Sequence, residues 1–64
     1  MRLIGEVAID KISGMRAVGR EGAREPRIEI TYMTGGDMGV FVMPAREAAL
    51  LRDYIVQGLQ HLQK

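Results

Sequence analysis

The last third of the chain, from Pro44 to Lys64, most constrains what this sequence can fold into, because it has the apolar period of one amphipathic helix. Five apolar residues follow one another at steps of three and four and therefore lie on a single helix face, namely Ala48, Leu51, Ile55, Leu59 and Leu62. Pro44 suits the first helical position, and Glu47 and His61 lie in the first and last turns, where their charges complement the helix dipole. A helix with one such face needs an apolar surface to cover.

The residues before this helix predict a sheet. They contain three short runs rich in β-branched residues, separated by glycine-bearing breaks, namely Leu3–Ile12, Ile28–Thr34 and Met38–Met43. Gly35 and Gly36 lie between the second and third runs and accept the positive φ angles that a two-residue hairpin requires. Alternation places Ile28, Ile30 and Tyr32 on one side of the second run. It places Phe41 and Met43 on one side of the third run. The prediction is one α+β domain over residues 1–64, in which a three-stranded antiparallel sheet of order β-β-β-α carries the C-terminal amphipathic helix on one face.

The stretch from Ser13 to Pro26 is the longest without a sustained period. In one interpretation, Met15 to Val18 continue the first strand beyond a bulge at Gly14, and Gly19 to Pro26 form a flexible loop tip. The first run itself carries apolar residues on both sides, which predicts burial on both faces or contact with a partner subunit.

A chain of 64 residues is close to the lower size limit at which a hydrophobic core holds a fold without help. The sequence has no cysteine for a disulfide, and His61 is its only histidine, so we expect neither a structural metal nor a cofactor. Oligomerisation is the remaining common supplement, and we expect a homo-oligomer. No apolar run approaches the length of a membrane span and the amino terminus lacks the plan of a signal peptide, so the expected location is the cytoplasm.

Four arginines are concentrated in the irregular stretch and at the start of the second strand, and they are the predicted ligand-binding residues: Arg16, Arg20, Arg24 and Arg27. Guanidinium groups match phosphate oxygens two at a time, so the leading hypothesis is a non-enzymatic protein that holds a phosphate-bearing small ligand such as a nucleotide. The competing interpretation is a solvated loop whose arginines pair with Glu21 and Glu25. Gly14 and Gly19 have the glycine spacing of a phosphate-binding loop, but the Lys-Ser/Thr pair that must follow is missing.

Leu50, Tyr54 and Gly58 lie together on a flank of the predicted helix and form a predicted contact surface. The alternative function is therefore a protein-protein interaction module, an inhibitor or adaptor of a larger complex. Nucleic-acid binding ranks third, because the net charge is only +1 and aromatic residues make up 5% of the chain. Ser13 and His61 have no sequence context that activates a nucleophile, so no enzymatic activity is predicted.

Overall fold

The computed structural model describes residues 4–63, so Leu3 and Lys64, the predicted ends of the first strand and of the helix, lie outside the described residues. Four elements follow in chain order, namely β1 (Lys11–Val18), β2 (Arg27–Thr34), β3 (Asp37–Pro44) and α1 (Ala45–Leu62). The strands form one antiparallel sheet of order β1-β2-β3, and α1 follows it. The predicted α+β architecture is confirmed.

The hairpin between β2 and β3 forms where the Gly-Gly pair predicts it. Gly35 and Gly36 have φ angles of 55° and 91°, both positive, as a two-residue type I′ turn requires. The register runs without a break from Thr34 opposite Asp37 to Arg27 opposite Pro44. Cross-strand partners share a face, so Ile28 and Ile30, which pair with Met43 and Phe41, lie on the same face of the sheet as those two residues.

The predicted extent of the first strand is wrong. β1 begins at Lys11 and runs to Val18, so it includes the Met15–Val18 continuation and a register shift between Ile12 and Gly14, where the sequence predicts a bulge. The physical reason is that β2 ends at Thr34. Since Lys11 already pairs with Met33, one residue before the end of β2, the residues before Asp10 extend beyond the strand that could pair with them.

Residues 8–10 are held against the β2–β3 turn by three hydrogen bonds. The backbone N–H of Asp10 donates to the carbonyl of Met33 at 2.9 Å, and its carboxylate Oδ2 accepts from the N–H of Gly35 at 2.8 Å. The Thr34 hydroxyl donates to the carbonyl of Ala8 at 2.6 Å. These contacts place Ile9 beside Ile12 at the edge of the helix-facing side of the sheet.

The helix begins one residue later than predicted. Pro44 has a ψ of 149°, which makes it the N-cap residue and the last residue of β3 rather than the first helical residue. The N–H of Ala45 donates to the carbonyl of Pro26 at 3.0 Å, which ties the start of α1 to the start of β2. Pro44 remains part of β3 because it is still paired with Arg27 across the β2–β3 ladder.

The helix lies over β2 and β3 and leaves an apolar cavity on each side. Leu51 and Ile55 lie against Ile30 and Met43, with one cavity of about 550 Å³ toward Ile9 and a second of about 320 Å³ toward Ile28. Leu51 and Ile55 remain 43% and 51% exposed, and Leu62, at the far end of the same stripe, is 78% exposed. No residue between 4 and 63 is buried, and the best-covered element is β2, which is half-buried along its whole length.

The dimensions of the single chain agree with this loose packing. Its radius of gyration is 13.9 Å, whereas a compact chain of this length has about 10.7 Å. It exposes 5697 Å² of surface, about 1,600 Å² more than the roughly 4,100 Å² typical of a folded 7.1 kDa monomer. Part of this excess belongs to the extended residues 4–10, and the rest belongs to the uncovered faces of α1 and the sheet.

Candidate functional site

The loop between β1 and β2 is shaped by a tight turn at its tip. Glu21 and Arg24 exchange two backbone hydrogen bonds, 2.9 and 3.3 Å long, across Gly22 and Ala23. Gly22 has a φ of 57°, a conformation that glycine adopts without steric cost. The turn therefore presents the side chains of Arg20 and Arg24 on either side of an ordered bend.

Arg27, the first residue of β2, is held by two glutamates. Its Nη1 lies 2.9 Å from Glu21 Oε1 and its Nε lies 3.3 Å from Glu29 Oε2. The hydrogen bond that Arg27 donates to Glu21 is the largest cause of the raised pKa of Arg27, desolvation opposes it, and Glu29 raises the pKa further. A raised pKa in an arginine means that the guanidinium keeps its charge at every pH at which proteins fold, so Arg27 is a permanent cation that is already paired.

The second glutamate of the loop is also engaged. Glu25 Oε2 lies 2.6 Å from Nη1 of Arg46 in the first turn of α1, and this hydrogen bond is the main cause of the raised pKa of Arg46. Glu21 and Glu25 thus neutralise Arg27 and Arg46. Within residues 4–63, neither Arg20 nor Arg24 forms an ion pair.

These residues surround one open cavity of about 610 Å³ at the end of the sheet where α1 begins. Arginine side chains form its rim, and the end of β3 supplies an apolar wall; the lining residues are Arg20, Ala23, Arg24, Glu25, Arg27, Val42, Met43 and Pro44. A volume of this size is within the range of small-molecule sites, which combine apolar walls with a few polar groups. We refer to this cavity as the arginine cavity.

The structure brings together three of the four predicted ligand-binding arginines. Arg20, Arg24 and Arg27 line the arginine cavity, whereas Arg16 lies on β1 opposite Glu29, with its Nη1 3.8 Å from Glu29 Oε1. The predicted contact residues Leu50, Tyr54 and Gly58 lie on α1, away from the arginine cavity, and both Leu50 and Tyr54 are exposed.

Sequence reasoning did not find the apolar wall of the cavity or the role of Arg46. Val42, Met43 and Pro44 lie some twenty residues from the loop in sequence and reach it only through the pairing of β3 with β2. The Pro26–Ala45 hydrogen bond then places Arg46 beside the loop glutamates. The only signal in the sequence is the short hairpin, which makes the start of β2 and the end of β3 neighbours.

The arrangement is suited to anion binding. Two unpaired guanidinium groups at a concave surface offer planar donor pairs that match phosphate oxygens. Across residues 4–63, no group of three or more His, Asp or Glu side chains could hold a metal ion. The part of the chain that the structure describes also contains no helix long and apolar enough to cross a membrane.

No protein-family model, no curated protein and no solved structure matches this chain.

Proposed function

We propose that this protein is a non-enzymatic binding protein that holds a phosphate-bearing small ligand, such as a nucleotide, in the arginine cavity. One observation carries the proposal. Arg20 and Arg24 converge on the arginine cavity without an ion-pair partner among residues 4–63, while both loop glutamates pair with other arginines.

The local charge balance supports an anionic ligand. The whole chain has a net charge of only +1, so no general field attracts anions to it. At the cavity, however, the Arg27 and Glu25 charges are compensated and those of Arg20 and Arg24 are not. Pro44 lines the cavity and α1 begins at the next residue, so the positive end of the helix dipole adds to this local excess.

The ligand class follows from the size and walls of the cavity. Two unpaired guanidinium groups suit one or two phosphate groups rather than the many phosphates of a duplex. The apolar side chain of Val42 lines the same cavity and is placed to contact a less polar part of the same molecule, such as a base or an alkyl group. This combination favours a small phosphorylated molecule over nucleic acid.

The test is calorimetric titration with mono-, di- and cyclic nucleotides and a short duplex, at low and at physiological salt. The expected result is binding of a small phosphorylated ligand that weakens modestly with salt, since few counterions are released. Arg52→Ala is the matched control, because Arg52 lies on α1, pairs with Asp53 and does not line the arginine cavity. If no ligand in the panel binds, or if Arg52→Ala weakens binding as much as Arg20→Ala, the proposal fails.

A second candidate, a protein-protein interaction module, is favoured by the sheet face that α1 does not cover. Met38, Val40 and Val42 form an exposed apolar row along β3, an edge strand with one free side. Val40→Lys would remove the interaction of such a face while leaving ligand binding in the arginine cavity intact. The two candidates are therefore separable by one substitution each.

A further inference from the structure

The helix α1 has more apolar surface than its own sheet can cover. Viewed down the axis of α1, the arc from Leu50 through the predicted stripe to Val56 spans about 240° at 3.6 residues per turn. Most of the residues in this arc are apolar. A helix that lies on the surface of a monomer typically has an apolar arc a little over about 100° wide. The sheet contacts one part of this arc through Ala48, Leu51, Ile55 and Val56, and the remainder includes the flank of Leu50, Tyr54 and Gly58.

This flank is uncovered. Leu50 is 52% exposed and Tyr54 is 68% exposed, and a Cβ added at Gly58 would meet no atom within 4 Å. A glycine inside a helix destabilises it relative to alanine, and nothing in the packing of residues 4–63 requires a glycine at this position. A glycine at such a position lets another backbone approach closely.

We propose that a second copy of this chain covers the flank, and that the two α1 helices pack antiparallel about a two-fold axis at Tyr54. The spacing of the flank is complementary to itself under this symmetry. Because Leu50 and Gly58 lie four residues on either side of Tyr54, the two-fold axis places Leu50 of each copy over Gly58 of the other. The Leu50 side chain of each copy thus meets the residue without a side chain, and the two Tyr54 rings meet at the axis.

The exposed surface is large enough for a second copy to cover. The chain exposes about 1,600 Å² more than a compact monomer of its mass, and a stable dimer needs about 800 Å² from each partner. A chain with no buried residue between 4 and 63 needs its partner whenever it is folded, and a second copy is always present where the chain is made. The proposed dimer does not depend on the arginine cavity, because Leu50, Tyr54 and Gly58 do not line that cavity.

Disulfide trapping tests this geometry directly, because the natural chain contains no cysteine. Tyr54→Cys should form a covalent dimer under mild oxidation, since residue 54 lies beside its own copy across the axis. Gln60→Cys, about 120° around α1 from Tyr54, is the matched control and should remain unlinked. A mixture of Leu50→Cys and Gly58→Cys should give mainly the mixed covalent dimer.

Sedimentation at micromolar concentration provides the second measurement and uses substitutions that keep helix propensity high. The wild type should be a dimer, and Gly58→Ala should weaken it by about tenfold or more, because the added methyl meets Leu50 of the second copy. The double variant Leu50→Ala/Gly58→Ala should recover part of this loss. A folded monomeric wild type, a dimer that Gly58→Ala leaves unchanged, or equal trapping at positions 54 and 60 would each overturn the proposal.

Discussion

The ring of Tyr32 lies directly over the backbone of Gly39, its partner across the β2–β3 ladder. A Cβ built on Gly39 would lie 2.5 Å from both Cζ and Oη of Tyr32, closer than nonbonded atoms approach. The ring continues past the glycine and stacks on Phe41, with centroids 4.4 Å apart and planes inclined by 18°. Gly39 therefore creates the space in which two of the three aromatic residues meet on the helix-facing side of the sheet.

This relationship predicts that Gly39→Ala destabilises the protein by about 1–3 kcal/mol, because the new methyl displaces the Tyr32 ring from Phe41. Urea denaturation measures the change in the free energy of unfolding. In a Tyr32→Ala background the same Gly39→Ala substitution should be neutral or slightly stabilising, since the ring is gone and alanine restricts the unfolded chain. Equal costs in the two backgrounds would show that the contact between the ring and Gly39 is not the cause.

The geometry of the arginine cavity predicts that substitution of the loop-region arginines weakens ligand binding to different degrees. Arg20→Ala and Arg24→Ala should each weaken a phosphorylated ligand by about tenfold to a hundredfold, the loss of one charge-assisted hydrogen bond of about 1.5–3 kcal/mol. Arg16→Ala removes the same charge from β1, outside the cavity, and should change affinity by less than about threefold at physiological salt. Calorimetric titration of the three variants at equal concentration distinguishes them.

Substitution of Arg27 should also disturb the loop structure, because Arg27 forms ion pairs with Glu21 and Glu29. Arg27→Ala leaves Glu21 and Glu29 without their common partner, so we expect loss of order in the loop together with any loss of binding. Amide hydrogen exchange at Glu21 and Arg24, whose backbones close the turn, should become faster in this variant. Unchanged protection at both amides would mean that the turn holds without the ion pairs.

The contact of α1 with the sheet predicts that Ile55→Ala lowers the free energy of unfolding by about 1–2 kcal/mol. The expected cost is below the 2–5 kcal/mol typical of a fully buried site, because Ile55 is 51% exposed although it lines both cavities beside the helix. Gln57→Ala, on the polar side of α1, should change stability by less than about 0.5 kcal/mol. Similar costs at the two positions would mean that α1 is rotated from the orientation described above.

The N-terminal segment is predicted to depend on two side chains at the β2–β3 turn. Thr34→Val removes the donor to the carbonyl of Ala8, and Asp10→Ala removes the acceptor of the Gly35 N–H. Each substitution should lower the free energy of unfolding by about 0.5–1.5 kcal/mol. Each should also raise the hydrogen-exchange rate of the Asp10 amide, which donates a hydrogen bond to the carbonyl of Met33. Thr31→Val is the control, because its side chain lies within β2 on the face away from α1.

The local elements of this protein were determined by its sequence. The stripe from Ala48 to Leu62 specifies a helix, and the Gly35-Gly36 pair specifies both the turn and the register of β2 with β3, because these signals act between residues that are close in the chain. The loop arginines could also be named from composition and glycine content alone. What could not be predicted was which of them remain unpaired.

Only the tertiary structure decided the three features that involve distant residues. It ended the pairing of the N-terminal residues at Lys11, because β2 offers no further partner there, and it brought Arg46 to Glu25 and so left Arg20 and Arg24 unpaired. It also showed that a single sheet covers only part of the apolar arc of α1, which leaves Leu50 and Tyr54 exposed. Periodicity reveals that a helix has an apolar face, but the area available to cover that face depends on how far the opposing sheet extends, which is a property of the folded chain.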